Sequence, residues 1–253
     1  MSFECLSITI NSPIHAIEDN IVKFSNGRVA FINHSFSELK PHQFVSAKID
    51  ESSNLVSFKI LRDEDHGTEF NFYLNEDPSP FSPTVVKNHE EAKSIFERSN
   101  PFYKRISECT DRAHVWAHDE YKFSGIKSLK AFVFFTASYI NSVRFKWWFH
   151  VAPMYRVDLN GILTDMVMDY RYSDKPLTVK EWTDLFVFTK RSCKVTTQFS
   201  EYDVNPQTEN CYLIFESMHY KVPDEIYDQE RYLRFKNQTT EYEITSSRKL
   251  GFE

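Results

Sequence analysis

Cys109, His150 and Asp169 follow one another in the order of a nucleophile, a base and an orienting carboxylate. Ser107 can N-cap a helix through Cys109, Ala113, Trp116 and Ala117. Cys109 then occupies the second helical position, where unpaired backbone N–H groups and the helix dipole favour a thiolate and can meet an oxyanion. A small residue buried in a helix is the plainer account of the same cysteine. His150 lies in the aromatic run Lys146-Trp147-Trp148-Phe149-His150-Val151-Ala152-Pro153, with Trp148, His150 and Ala152 on one side of an expected strand. An imidazole there acts as a base when each ring nitrogen meets an oriented partner; otherwise it is structural. Asp169 sits within Met166-Val167-Met168-Asp169-Tyr170, where an unpaired charge is costly to bury. A histidine N–H on the neighbouring strand would satisfy it, and a salt bridge to Arg171 or Arg156 is the alternative.

The elements that must hold these residues can be sketched from pattern. Leu6–Ile10, Arg28–Ile32 and Leu55–Leu61 read as strands, with Asn26-Gly27 as a hairpin turn and Asp63–Gly67 as a second turn. The prolines of Asp77-Pro78-Ser79-Pro80-Phe81-Ser82-Pro83 mark a linker, which divides the chain into residues 1–85 and 86–253. Beyond it, His89–Arg98 suits a short helix with Ala92, Ile95 and Phe96 inward. Ser128–Ser142 fits helix or strand, Val143–Val157 alternates as a strand, and Leu163–Tyr172 is its expected neighbour. Asp174–Thr178 ends that strand and caps a helix through Trp182, and Cys211–Phe215 is a further strand.

Composition removes several classes of function. A net charge of −6 offers no general attraction for nucleic acid or an anionic membrane. Five scattered glycines form neither a phosphate-cradling loop nor a dinucleotide fingerprint. The four cysteines contain no CxxC pair, while Cys193 and Cys211 could join in an oxidising compartment. The residues after Met1 display no secretory signal and no spanning stretch, so the expected location is cytoplasmic, or secreted by a route not displayed. His114 and His118, four apart with Asp119 beside them, have metal-ligand spacing, but Val115 stands where a zincin needs its glutamate. Packing of the helix is the simpler account, and no metal or cofactor is expected. Trp116, Trp147, Trp148 and Trp182 read mainly as core, with Trp147 and Trp148 assigned to wall a substrate pocket.

A family resemblance ties these signals together. Glu108-Cys109-Thr110-Asp111-Arg112-Ala113-His114 resembles the Cys-x-x-Arg-Ala-His segment of bacterial protein-glutaminases, and Trp148–Ala152 resembles their histidine segment. Val167-Met168-Asp169 resembles the strand that carries the family's aspartate, and Asp174-Lys175-Pro176 through Trp182 resembles the segment after that strand. The resemblance spans roughly residues 90–220 and implies an α+β protein: an N-terminal β-rich domain, then a transglutaminase-like, papain-related catalytic domain with an antiparallel sheet and a nucleophile-bearing helix. It implies that Cys109 attacks the side-chain carboxamide of a glutamine in a protein or peptide, that His150 transfers protons, and that Asp169 orients the imidazole. Glu108 and Asp111, and Tyr170 where the family usually has proline, depart from its pattern. Residues 1–85 correspond to the family's pro-region or to a domain that positions a substrate or partner. A transglutaminase or cysteine protease on the same core, and a binding module with a degenerate site, are the competing readings.

Overall fold

The computed structural model describes residues 7–32, 36, 38–41, 43–62, 81–99, 108–196, 209–221 and 223. The expected turn at Asp63–Gly67, Ser107, and residues 77–80 of the expected linker lie outside the described residues. The chain divides into two compact units: Met1–Asn71 with Phe135–Phe149, and Phe72–Phe134 with His150–Glu253.

The first unit holds β1 (Ser7–Glu18), β2 (Ile21–Phe24), β3 (Val29–Phe31), β4 (Phe44–Asp50) and β5 (Leu55–Arg62), in the order β3-β2-β1-β4-β5. All neighbours in it are antiparallel. β1 pairs with β4 over Ser7–Pro13 and with β2 over Ile14–Glu18. Pro13, which has no N–H to give, stands where β1 changes partner, the kind of position at which a strand tolerates proline. Asn26-Gly27 turns β2 into β3 as the dipeptide predicts, with Gly27 at φ +90° donating its N–H to the Phe24 carbonyl at 2.9 Å. A Cβ at Gly27 would stand 3.2 Å from the Phe149 ring, so close approach as well as backbone sign requires glycine here.

The segment Phe135–Phe149 completes this unit. It contains α3 (Ala137–Val143), capped by Thr136, whose hydroxyl accepts from the Tyr139 N–H at 3.2 Å. The hairpin tip grips the stretch beyond the helix: the Val29 N–H meets the Lys146 carbonyl at 3.1 Å, and the Trp148 N–H meets the Gly27 carbonyl at 2.9 Å. Arg144 donates to the Asn54 side chain at 2.7 Å. The ambiguous Ser128–Ser142 is therefore both things in turn, strand then helix. The strand expected from Val143 begins only at Phe149, because the end of α3 and the left-handed Arg144 (φ 54°) occupy its first residues.

The second unit is built on β6 (Val85–Val86), β7 (Leu129–Phe135), β8 (Phe149–Leu159), β9 (Ile162–Val167), β10 (Leu177–Thr178), β11 (Lys194–Val195) and β12 (Cys211–Ser217). Their order is β10-β9-β8-β7-β12-β11, with β6 beside β8. The expected antiparallel pairing holds for β8–β9 and β9–β10, while β6–β8 and β11–β12 are parallel. Asn160-Gly161, both at positive φ, forms a two-residue hairpin turn and sets Leu159 opposite Ile162 and Met154 opposite Val167.

Among the described residues three helices accompany the sheet: α1 (His89–Glu97), α2 (Cys109–Ser124) and α4 (Val179–Thr183). Asn88 caps α1, accepting from the Glu91 N–H at 2.8 Å, and Ala92, Ile95 and Phe96 face inward as predicted. These three pack with Val115 and Trp116 of α2, with Tyr155, Val157 and Met166 of the sheet, and with Met168 just past β9 in one apolar cluster. α4 carries a capping box between Thr178 and Glu181. Among the described residues no helix is long and apolar enough to cross a membrane.

Cys193 and Cys211 are joined, closing a loop of sequence separation 18 beside the short β11–β12 pair. Removing such a link frees the unfolded chain and is expected to cost about 3 kcal/mol on loop-entropy grounds. Urea unfolding of the oxidised protein against a Cys193→Ser, Cys211→Ser double variant reads this directly. Equal midpoints and slopes would mean that the disulfide adds nothing to stability.

Candidate active site

α2 begins one residue later than its sequence suggests. Glu108 is the N-cap, without a side-chain capping bond, and Cys109 is the first helical residue. Its side chain is buried, and among the described residues it is the free cysteine. His150 is the second residue of β8 and is also buried.

Asp169 lies past the end of β9 and not within a strand. It opens a turn in which its carbonyl accepts from the N–H groups of Tyr172 (3.0 Å) and Ser173 (2.9 Å). The β8–β9 register nevertheless places it well. Extended past Met154 opposite Val167, it sets Ala152 opposite Asp169, and the Met168 N–H still reaches the Pro153 carbonyl at 2.8 Å. His150, two residues before Ala152, shares that face and is a diagonal neighbour of the carboxylate.

The three predicted site residues are brought together. His150 Nε2 lies 2.7 Å from Asp169 Oδ2, and the same oxygen accepts the Trp182 Nε1–H at 2.9 Å. Cys109 hydrogen-bonds with the His150 side chain. Since Asp169 takes Nε2, Nδ1 is the ring nitrogen that remains for the sulfur. Arg156, one of the alternative partners of Asp169, is paired instead with Asp165 at 3.0 Å.

Electrostatics reinforce the arrangement. Burial alone would drive the His150 imidazole toward its neutral form, but the Asp169 charge and hydrogen bond, with a smaller contribution from Cys109, hold its pKa up at about 9. Burial pushes the Asp169 carboxyl the other way, yet His150, the Trp182 N–H and Arg112 keep it below the usual carboxylate range. Aromatic rings frame the imidazole: Phe186 at 5.0 Å, Tyr172 at 5.1 Å edge-on, and Trp182 at 5.8 Å between centroids. A cavity of about 10 Å³ lies behind Asp169, between Arg112, Trp116, Ala152 and Arg171. That is room for one water and not for a carboxamide side chain.

Other predicted residues stand elsewhere. The Trp148 indole is wholly buried within the first unit, stacked on His15 at 4.3 Å with its N–H donated to the Phe24 carbonyl at 2.8 Å. Trp147 lies against Arg28, whose guanidinium is 4.6 Å from its ring centroid. Both therefore precede β8 and are engaged within the first unit. The rings of His114 and His118 are 4.5 Å apart, but His114 Nδ1 receives Lys130 Nζ at 2.9 Å. Burial, then the Lys130 charge, depresses both histidines, His118 to about 2. The Asp111 carboxylate, which would oppose a thiolate if left alone beside it, is ion-paired to Lys221 at 2.6 Å.

The sequence alone gives Trp182 no part in holding Asp169 and does not single out Tyr172 or Phe186. The capping signal at Thr178, which fixes where α4 starts and hence where Trp182 points, is the clue available for the first. Nothing local marks the other two.

Residues 85–186 match the family model described as Glutaminase. No curated protein matches the chain. Among solved structures, a crystal structure of pro-protein-glutaminase is similar at a TM-score of 0.52 and 13% identity, covering 92% of this chain and 93% of that one. The crystal structure of a mutant of pro-protein-glutaminase gives a TM-score of 0.51 at 14% identity, with 90% and 91% covered. At such identities the common property is the fold. Residues 85–186, which hold the helix of Cys109, the strand of His150 and the turn of Asp169, are the part of the chain that is similar to the glutaminase family.

Proposed function

We propose that this protein hydrolyses glutamine side chains in proteins or peptides, releasing ammonia through a thioester on Cys109. The observation that carries the reading is the buried His150–Asp169 pair at 2.7 Å, with the Cys109 side chain on the same imidazole. Cys109 Sγ, having passed its proton to His150 Nδ1, attacks the carboxamide carbon. The oxyanion that forms can be met by backbone N–H groups at the start of α2. As the C–N bond breaks, His150 returns the proton to the nitrogen and ammonia departs. A water molecule, deprotonated by His150, then attacks the thioester; glutamate is released and the thiol regenerated. Asp169 accepts from Nε2–H throughout, which fixes the tautomer and stabilises the imidazolium.

In this reading a transglutaminase-like, papain-related core occupies residues 86–253, and residues 1–85 position a substrate or partner. The Cys193–Cys211 disulfide favours the oxidising compartment of a secreted protein. The departures at Glu108 and Asp111 are what favour a degenerate, binding-only module, and the ion pair of Asp111 with Lys221 speaks against the second of them. No nucleic acid, membrane or cofactor takes part.

Incubation with a glutamine-rich protein, a primary amine and a peptide reporter separates the related chemistries. Ammonia release without amine incorporation or backbone cleavage is the expected result. Amine incorporation would make the enzyme a transglutaminase, and cleavage a protease.

A further inference from the structure

The face of α2 just past Cys109 is polar and yet buried. Asp111, His114 and His118, at i, i+3 and i+7, are each buried, although side chains of this kind usually turn to solvent. Each is linked to the residues that come after β12, Asp111 and His118 directly and His114 through Lys130. Asp111 pairs with Lys221 at 2.6 Å. His114 Nδ1 receives Lys130 Nζ, which also donates to the Tyr220 carbonyl at 2.5 Å. The His118 ring lies 5.7 Å from that of His219.

As a stabiliser alone the Asp111–Lys221 pair has little merit. Two well-packed apolar side chains in its place would hold the fold as well or better. Its position suggests another use. An acid in the first turn suits the positive end of the helix, but the same charge, two residues from a sulfur that must become an anion, opposes that step. A lysine drawn from 110 positions further along the chain resolves the conflict.

We infer that the buried Asp111–Lys221 ion pair is a positioning device for the nucleophile: it fixes the roll of the first turn of α2 and cancels the carboxylate's charge beside Cys109. The inference rests on the reading of Cys109 as nucleophile. Other charged and titratable groups also face this region. On α2 and its cap they are Glu108, Arg112 and His114; from β7 comes Lys130, and from β8 His150. Asp169, Arg171 and Tyr172 come after β9, and His219 and Lys221 after β12. None of these is altered in the variants below except Lys221, so differences between variants report on the pair.

The test is the pH profile of iodoacetamide alkylation at Cys109 in the full chain, read by mass spectrometry of the peptide that contains it. Asp111→Asn, which removes the carboxylate's charge and keeps that of Lys221, is expected to move the midpoint down by about one pH unit. Lys221→Met is expected to move it up by a similar amount. The double variant should return it close to the parent value. If Lys221→Met does not fold by circular dichroism, Asp111→Asn, which keeps the side-chain shape, decides alone. An unmoved midpoint in folded Asp111→Asn, or shifts of the same sign in both single variants, would overturn the inference. Opposite shifts together with undiminished ammonia release by Cys109→Ala would uphold the charge relation and remove the nucleophile reading instead.

Discussion

Replacing Cys109 by alanine is expected to lower ammonia release from a glutamine-containing protein by on the order of a thousandfold or more. The scale reflects the loss of the sulfur itself. On the proposed mechanism its removal leaves no covalent intermediate, and hydrolysis must proceed by direct attack of water in a site arranged for another nucleophile. The fold should tolerate the change well. Cys109 lies at the first helical position, and losing one buried sulfur is a small truncation, costing about 1 kcal/mol. Far-ultraviolet circular dichroism and the urea midpoint should therefore stay near those of the parent while turnover collapses. A Cys109→Ala protein that kept a tenth of parental activity would remove the cysteine from the mechanism, whatever its distance from His150.

Asp169→Ala is expected to damage both activity and stability. Oδ2 is the acceptor for two buried N–H groups, on His150 and on Trp182, and truncation leaves both without it. Breaking a buried charged pair on one side costs about 3–5 kcal/mol. Loss of the imidazole's orientation should cost on the order of a hundredfold or more in kcat. Asp169→Asn is the gentler probe, and its pH dependence carries a sign. The His150 pKa is raised from 6.5 to about 9 in the folded protein, so the stabilisation from this pair is fully present below 6.5 and is lost as pH rises through about 9. Asp169 is depressed from 3.8, so its share is present above 3.8 and is lost as pH falls through its lower folded value. Urea unfolding of the parent at pH 6.5 and at pH 9 should therefore show weakening at the higher pH, a difference that Asp169→Asn abolishes. The alkaline limb of activity should move to lower pH in that variant. An unchanged alkaline limb would mean that the carboxylate does not govern the imidazole.

The site is more legible in the sequence than the fold that carries it. Cys109, His150 and Asp169 are chemically conspicuous, and an acid inside Met166–Tyr170 demands a partner. Register arguments then work at a distance of two residues. The rest is supplied by long-range packing. Ser128–Ser142 has one hydropathic character but two conformations, because β7 has sheet neighbours while Ala137–Val143 is capped by Thr136. β2 escapes a reading by pattern because a short buried strand lacks a clean alternation: all four residues of Ile21–Phe24 are buried. Trp147 and Trp148 look like neighbours of His150 because they adjoin it in sequence. Their rings are claimed by Arg28, His15 and the Phe24 carbonyl, partners more than a hundred residues away that no local pattern reveals. Lys221 is likewise invisible as the counter-charge of Asp111 until β12 has been placed.

The gripping of Lys146–Phe149 by the Asn26-Gly27 turn also bears on the order in which the molecule can be finished as it is made. The first unit needs Phe135–Phe149, so it is incomplete when Asn71 has been synthesised and must wait for a further 78 residues, counted from 71 to 149. At ribosomal speeds that interval is roughly 4–16 s. During it the carbonyls of Gly27 and Phe24 lack the Trp148 donors that meet them in the finished protein. Synthesis from one end therefore does not give folding from one end. The hairpin is a docking point held open for the very stretch of chain that delivers His150 one residue later.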